Sequence, residues 1–150
     1  MQTLNLPSYQ FRIRSSGEKA EIFDDIRKKF VALTPEEWVR QNFIAYLQNE
    51  KGYPISLIAV EMSLKLNKMH KRSDIVVYNT SGEAILLVEC KAPSVKIKQD
   101  VFDQIARYNM TLKVKYLIVT NGLKHYCCMI DYETMNYQFL KDIPDYDDIR

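Results

Sequence analysis

Leu86, Leu87 and Val88 form an unbroken apolar run inside the segment RSDIVVYNTSGEAILLVECKAP, Arg72 to Pro93. A strand with one wet face alternates apolar and polar residues, whereas a continuous run belongs to a strand covered on both faces. That requirement excludes a simple two-layer sheet and calls for helices on each side. The sequence offers two. LTPEEWVRQNFIAYLQNEKGYP carries Thr34 as a plausible N-cap, Pro35 at the first helical position and Glu37 to complete a capping box, with Gly52 and Pro54 closing it. Val39, Phe43, Tyr46 and Leu47 recur inside it at helical spacing and are expected to face a core. Lys98 to Lys113 reads as the second helix, with Val101, Ile105, Tyr108 and Leu112 on one stripe.

The remaining segments read as strands. YQFRIR and EIFDD flank Ser-Ser-Gly as an N-terminal hairpin. From Ile55 to Leu66, Ile58, Val60, Met62, Leu64 and Leu66 fall on one face and Ala59, Glu61, Ser63 and Lys65 on the other, a period of two. A basic loop (Lys68, His70, Lys71, Arg72) leads into the 72–93 hairpin, and KYLIVTNG, HYCCMIDY and YQFL supply three later strands. The expected fold class is α/β (α+β), helices packed on a central mixed sheet. We expect one domain, with residues 1–33 as a hairpin extension, 34–130 as core and 131–150 as a C-terminal strand and tail.

Composition narrows the setting. At 150 residues the chain is long enough to bury about two thirds of its unfolded surface. No apolar stretch approaches the roughly 20 residues of a membrane span, and the N-terminus lacks the basic start and apolar core of a signal peptide. The three cysteines form no CxxC pair and no even disulfide set, which suits a reducing, cytoplasmic setting without a membrane. His125, Cys127 and Cys128 lack zinc-site spacing and are assigned no chemistry. A net charge of +2 is too small to announce a nucleic-acid partner, so any such claim must rest on local clusters.

The charges of the hairpin are the feature that needs a reason. Glu89 and Lys91 are two apart and share a strand face, and Asp74 shares one with Val76 and Tyr78. If Asn79 pairs with Ala84 across a four-residue loop, Asp74 falls directly opposite Glu89, whereas a slip of one residue separates them. An exposed cross-strand ion pair would explain charges alone. Their position at the end of a doubly covered strand favours a site. Like charges so placed repel, and two converging carboxylates suit Mg²⁺, which takes one or two of them and completes its shell with water and phosphate. Lys91 could orient or deprotonate a water, or stabilise charge building on a phosphate.

Asp74 followed by Glu89-Cys90-Lys91 resembles the D-X(n)-E-X-K signature of the PD-(D/E)XK nuclease superfamily. The ordered segments PEEWVRQ, GYP, KRSDIVVYN, LLVECKAP, QIARYN and YLIVTNG resemble the N-terminal nuclease domain of type I restriction enzyme R subunits. The resemblance runs from about Thr34 to Tyr126. It implies a restriction-endonuclease-like mixed sheet of four or five strands flanked by helices, and Mg²⁺-dependent DNA cleavage, with Mn²⁺ as substitute. Asp74 and Glu89 match the metal ligands, Lys91 the catalytic lysine, and Gln104 with Tyr108 a QxxxY motif. The implied partners are DNA and separate translocase, methylase or specificity subunits.

Other positions keep two readings. Gln104 and Tyr108 are four apart on one helical face beside Arg107, where they could steer phosphate or water; the alternative puts Tyr108 in the core stripe and leaves Gln104 simply exposed. Glu61 is a third acidic group near the metal or part of a solvated strand face. Glu37 matches a helical glutamate that relatives bring toward the metal, yet capping gives it a sufficient structural role. Arg40, one turn on, could touch phosphate. Lys68, Lys71 and Arg72, with Lys65, are either a solvated loop or the phosphate-attracting patch of a DNA site. At the level of function, the alternative to an endonuclease is a non-cleaving DNA-binding or assembly module on the same fold.

Overall fold

The structure, a computed structural model, describes residues 1–66, 69–110 and 112–150, and the backbone alone for residues 62–66 and 69–72. The chain opens with β1 (Ile13–Ser16), β2 (Lys19–Asp24) and β3 (Lys29–Ala32), an antiparallel three-stranded sheet. The expected hairpin therefore gains a third strand, with Phe23 opposite Phe30 and their rings 5.2 Å apart. Helix α1 (Pro35–Lys51) follows, then a short 3-10 turn at Ile55–Leu57. The strands β4 (Ile58–Leu66), β5 (Met69–Tyr78), β6 (Ala84–Cys90), β7 (Tyr116–Thr120), β8 (His125–Asp131) and β9 (Asn136–Leu140) form one six-stranded sheet in sequence order. Helix α2 (Gln99–Met110) joins β6 to β7, whose pairing is parallel while every other neighbour is antiparallel. A parallel pair needs such a crossover. A last turn of helix, α3 (Tyr146–Ile149), ends the fold.

The apolar run of β6 does what its composition requires. Leu86, Val88 and Cys90 pack with Val39, Phe43 and Leu47 of α1 on one face, while Leu87 joins Phe102, Ala106 and Leu117 on the face covered by α2. Cys127 and Cys128 divide between the same two layers. α1 is capped as its sequence suggests: the Thr34 hydroxyl accepts the Glu37 N–H at 3.0 Å, and Gly52 adopts the left-handed conformation, φ +72°, that ends the helix. The capping box closes on one side only, because the Glu37 carboxylate turns away to Arg27, Arg40 and Gln41.

Two periodicity readings shift. The buried face of α2 is Phe102, Ala106, Asn109 and Met110, one position on from the expected stripe, and Tyr108 is exposed. His70, Lys71 and Arg72, expected in a basic loop, lie in β5, which begins at Met69 and pairs with β4.

Candidate active site

The register of the 72–93 hairpin decides whether its acids meet. The Asn79 side chain builds the turn: its Oδ1 accepts the N–H groups of Ser81 and Glu83, both at 3.0 Å, and Gly82 takes φ +82°. Tyr78, rather than Asn79, pairs with Ala84. Continued along the strands, that register would have put Asp74 and Glu89 on opposite faces. A bulge between Val77 and Tyr78 absorbs the offset, so Val77 pairs with Leu86 and Ile75 with Val88. One step further, Asp74 stands opposite Glu89, through a route the turn alone did not disclose.

At this end of the strands the Asp74 side chain replaces a ladder bond, its Oδ2 accepting the Cys90 N–H at 2.8 Å. Burial, and then repulsion from Glu89, push the Asp74 carboxyl up from 3.8 to about 7, against the lowering influence of the Cys90 N–H and Arg40. The two carboxyls are close enough to repel when both are ionised, and a proton or a cation shared between them relieves that repulsion. β6 ends at Cys90, but the Lys91 N–H still bonds to the Thr120 carbonyl at 2.8 Å, so strand geometry extends to Lys91. Lys91 is half-buried.

Beside this pair lies a network that the sequence only hinted at. Asp24, fully buried at the end of β2, accepts the N–H groups of Ile26 and Arg27 at 2.8 and 2.9 Å and the Arg27 Nε at 2.6 Å. Glu37 receives Arg27 Nη2 at 2.9 Å, Arg40 Nε at 2.9 Å and Nη2 at 2.5 Å, and Gln41 Nε2 at 3.0 Å. Gln41 also bonds Asp24 at 3.0 Å. Burial alone would raise both carboxyls, yet these donors hold Asp24 and Glu37 below the usual carboxylate range. Glu61 meets Arg27 Nη1 at 3.1 Å and Arg40 Nη2 at 3.4 Å, while Arg40 Nη1 lies 3.7 Å from Asp74. Arg40 thus stands between Glu61 and the Asp74–Glu89 pair.

The donor set fits a hard divalent cation. Two carboxylates that face each other across adjacent strands provide oxygen ligands, which suits Mg²⁺ with water completing the shell. Among the described residues no cluster of three or more His, Cys, Asp or Glu side chains is gathered for a metal, so that cation would rest on Asp74 and Glu89. Glu37, whose oxygens accept from four N–H donors, is joined to Asp74 through Arg40.

Residues 35–144 match the family described as "Type I restriction enzyme R protein N terminus (HSDR_N)". The chain belongs to this family. In fold it is similar to the fragment structure of a putative HsdR subunit of a type I restriction enzyme from Vibrio vulnificus YJ016, with a TM-score of 0.54 and 24% identity over 78% of this chain. The match spans 24% of that solved chain. No curated protein matches the sequence.

In this R-protein N-terminal domain the remaining candidates divide by position. Gln104, Arg107 and Tyr108 share the exposed side of α2, and no hydrogen bond among the described residues joins Gln104 to the acidic pair. Lys68 lies outside the described residues, as do the side chains of Lys65, His70, Lys71 and Arg72. The part played by Asp24, Arg27 and Gln41 was missed. Glu37, Arg40 and Gln41 follow the three- and four-residue spacing that makes helical neighbours, which was a readable signal. Arg27 sits in a turn and offered none. Among the described residues, no helix is long and apolar enough to cross a membrane.

Proposed function

We propose that this domain is a metal-dependent DNA endonuclease of the PD-(D/E)XK type that works within a type I restriction system. The observation that carries the reading is the Asp74–Glu89 carboxyl pair at the mouth of β5 and β6, with Lys91 two residues beyond Glu89. Asp74 and Glu89 hold Mg²⁺, or Mn²⁺ in its place; when bound, the ion supplies Lewis-acid activation of water and phosphate. The Cys90 N–H fixes one Asp74 oxygen and so sets the direction of the other. Lys91 orients the attacking water and stabilises the charge that builds on the phosphate. Gln104, Arg107 and Tyr108 flank the path of the DNA backbone from the exposed side of α2. Glu37 serves by orienting Arg40.

The partners this reading calls for are duplex DNA and the other subunits of such a system. The test is cleavage of supercoiled DNA with Mg²⁺ or Mn²⁺, comparing wild type with Lys91→Ala and Asp74→Asn. Cleavage by wild type and its loss in both variants supports the assignment; equal cleavage by all three rejects it.

A further inference from the structure

We propose that Arg27 and Arg40 form a seat for a DNA phosphate, and that the Glu61 carboxylate rests in it as an internal stand-in. The proposal rests on the endonuclease reading for the identity of the ligand. Its geometry is independent of that reading.

The two guanidinium groups are fixed tightly from behind and loosely in front. Behind, Asp24 and Glu37 hold them at 2.5 to 2.9 Å, and both acids are buried. In front, the separations lengthen to 3.1 and 3.4 Å at Glu61 and to 3.7 Å at Asp74. The Glu61 side chain is 36% exposed, against 17% for Arg27 and 10% for Arg40. The most accessible member of the network is therefore an anion between two arginines. A DNA phosphodiester presents two charged non-bridging oxygens, as a carboxylate does, and suits the planar donor fork of arginine.

Glu61 also occupies its place at a conformational cost. It sits in β4 at φ +53°, a left-handed conformation that side chains rarely adopt. Its neighbours Val60 and Met62 pair with Ile75 and Ser73, while Glu61 itself drops out of the ladder. The seat adjoins Asp74 through Arg40, so a phosphate held there would lie next to the proposed metal ligands.

Arg27 comes from the segment between β2 and β3, outside the 35–144 family match. The N-terminal sheet is thereby assigned a role in substrate binding. Asp24 anchors Arg27 and Gln41 ties Asp24 to Glu37, so the sheet and α1 share one orienting frame.

The test is binding of a short fluorescent duplex in EDTA at varied salt, which needs no cleavage. We expect Glu61→Gln to bind several-fold to about tenfold tighter, because the internal competitor loses its charge. Arg27→Ala is expected to weaken binding and to lower the slope of log affinity against log salt by about one. Arg27→Lys keeps the charge without the fork and should fall between wild type and Arg27→Ala. Should Arg27→Ala fail to fold, Arg27→Lys and Glu61→Gln carry the test. Unchanged affinity in both Arg27→Lys and Glu61→Gln, weaker binding by Glu61→Gln, or no duplex affinity in wild type overturns the proposal. Arg27-dependent binding without cleavage under any metal rejects the endonuclease reading alone, and cleavage with binding indifferent to Arg27 and Glu61 rejects the seat alone.

Discussion

The Asp74 carboxylate accepts the Cys90 backbone N–H at 2.8 Å while the charge of Glu89 raises its affinity for a proton, so one side chain both closes the β5–β6 ladder and faces a second acid. Two carboxyls so placed repel when both are ionised, and a proton or a cation between them relieves that repulsion. The choice between those two depends on pH.

The first prediction follows from the sign of that shift. Asp74 is raised from 3.8 to about 7 by burial and by Glu89. A folded-state value above the unfolded one gives stability that is fully present below about pH 4 and lost as pH rises through about 7. Without metal, wild-type Tm should therefore fall across that window, and Asp74→Asn should lack this part of the decline. Above pH 7, Mg²⁺ should restore Tm by several degrees in wild type and leave Asp74→Asn unmoved. Calorimetry at several pH values, with and without Mg²⁺, decides it; a flat wild-type profile in EDTA would sink the shared-proton account.

Much of the fold, and the facing of Asp74 and Glu89, was legible in the sequence, for identifiable reasons. The apolar Leu86–Val88 run demanded two covering layers, and α1 and α2 supply them. Thr34, Pro35 and Gly52 marked α1 through local chemistry that needs no tertiary information. The alignment of Asp74 with Glu89 was anticipated from a turn that the structure does not use; the bulge beside Val77 delivers the same facing through a different loop. Bulges leave no reliable mark in one sequence. The α2 stripe was misjudged because Val101, Ile105 and Leu112 keep helical spacing as well as Phe102, Ala106 and Met110 do, and only packing chooses. Arg27 and Asp24 could not be found from spacing, since they reach α1 through the fold of the N-terminal sheet.

Exposed α2 residues offer a clean separation of function from stability. Gln104 and Arg107 are exposed, so Gln104→Ala and Arg107→Ala should each change unfolding free energy by no more than about 0.5 kcal/mol. If they flank the DNA path, both should still lower cleavage, and Arg107→Ala should also reduce the salt dependence of DNA binding. Denaturant melts beside cleavage and binding curves check this. Wild-type behaviour in all three would remove α2 from the proposed interface.

Gly122 tests how the N-terminal segment at Leu4 and Asn5 is seated. It has φ +84°, and its carbonyl accepts the Asn5 N–H at 2.8 Å. A Cβ there would lie 2.7 Å from the Leu4 Cδ2 and 3.1 Å from the Val39 Cγ2. Gly17 has a similar φ of +66° with nothing within 4 Å of the added atom. Both alanine substitutions incur the backbone cost, about 1 kcal/mol. Gly122→Ala should exceed Gly17→Ala by a further ~1–3 kcal/mol from overpacking. Equal losses in urea melts would mean that Leu4 yields freely.

Arg40 is where stability and chemistry should separate most sharply. It is buried, donates twice to Glu37, and approaches both Glu61 and Asp74. Burial disfavours its charge, but Glu37 and then Asp74 raise its affinity for the proton on balance. Removing one member of a buried ion pair leaves its partner charged without compensation, a loss of about 3–5 kcal/mol. Arg40→Ala should approach that figure. Arg40→Ala with Glu37→Gln should recover part of it, because the stranded carboxylate is gone. Arg40 also opposes the rise in Asp74, so the Asp74 titration should move to higher pH in the double variant, where the protein remains measurable. Carboxyl chemical shifts followed by NMR report that midpoint directly. An unchanged Asp74 midpoint would show that Arg40 acts on Glu37 alone, and that the network and the carboxylate pair are electrostatically separate.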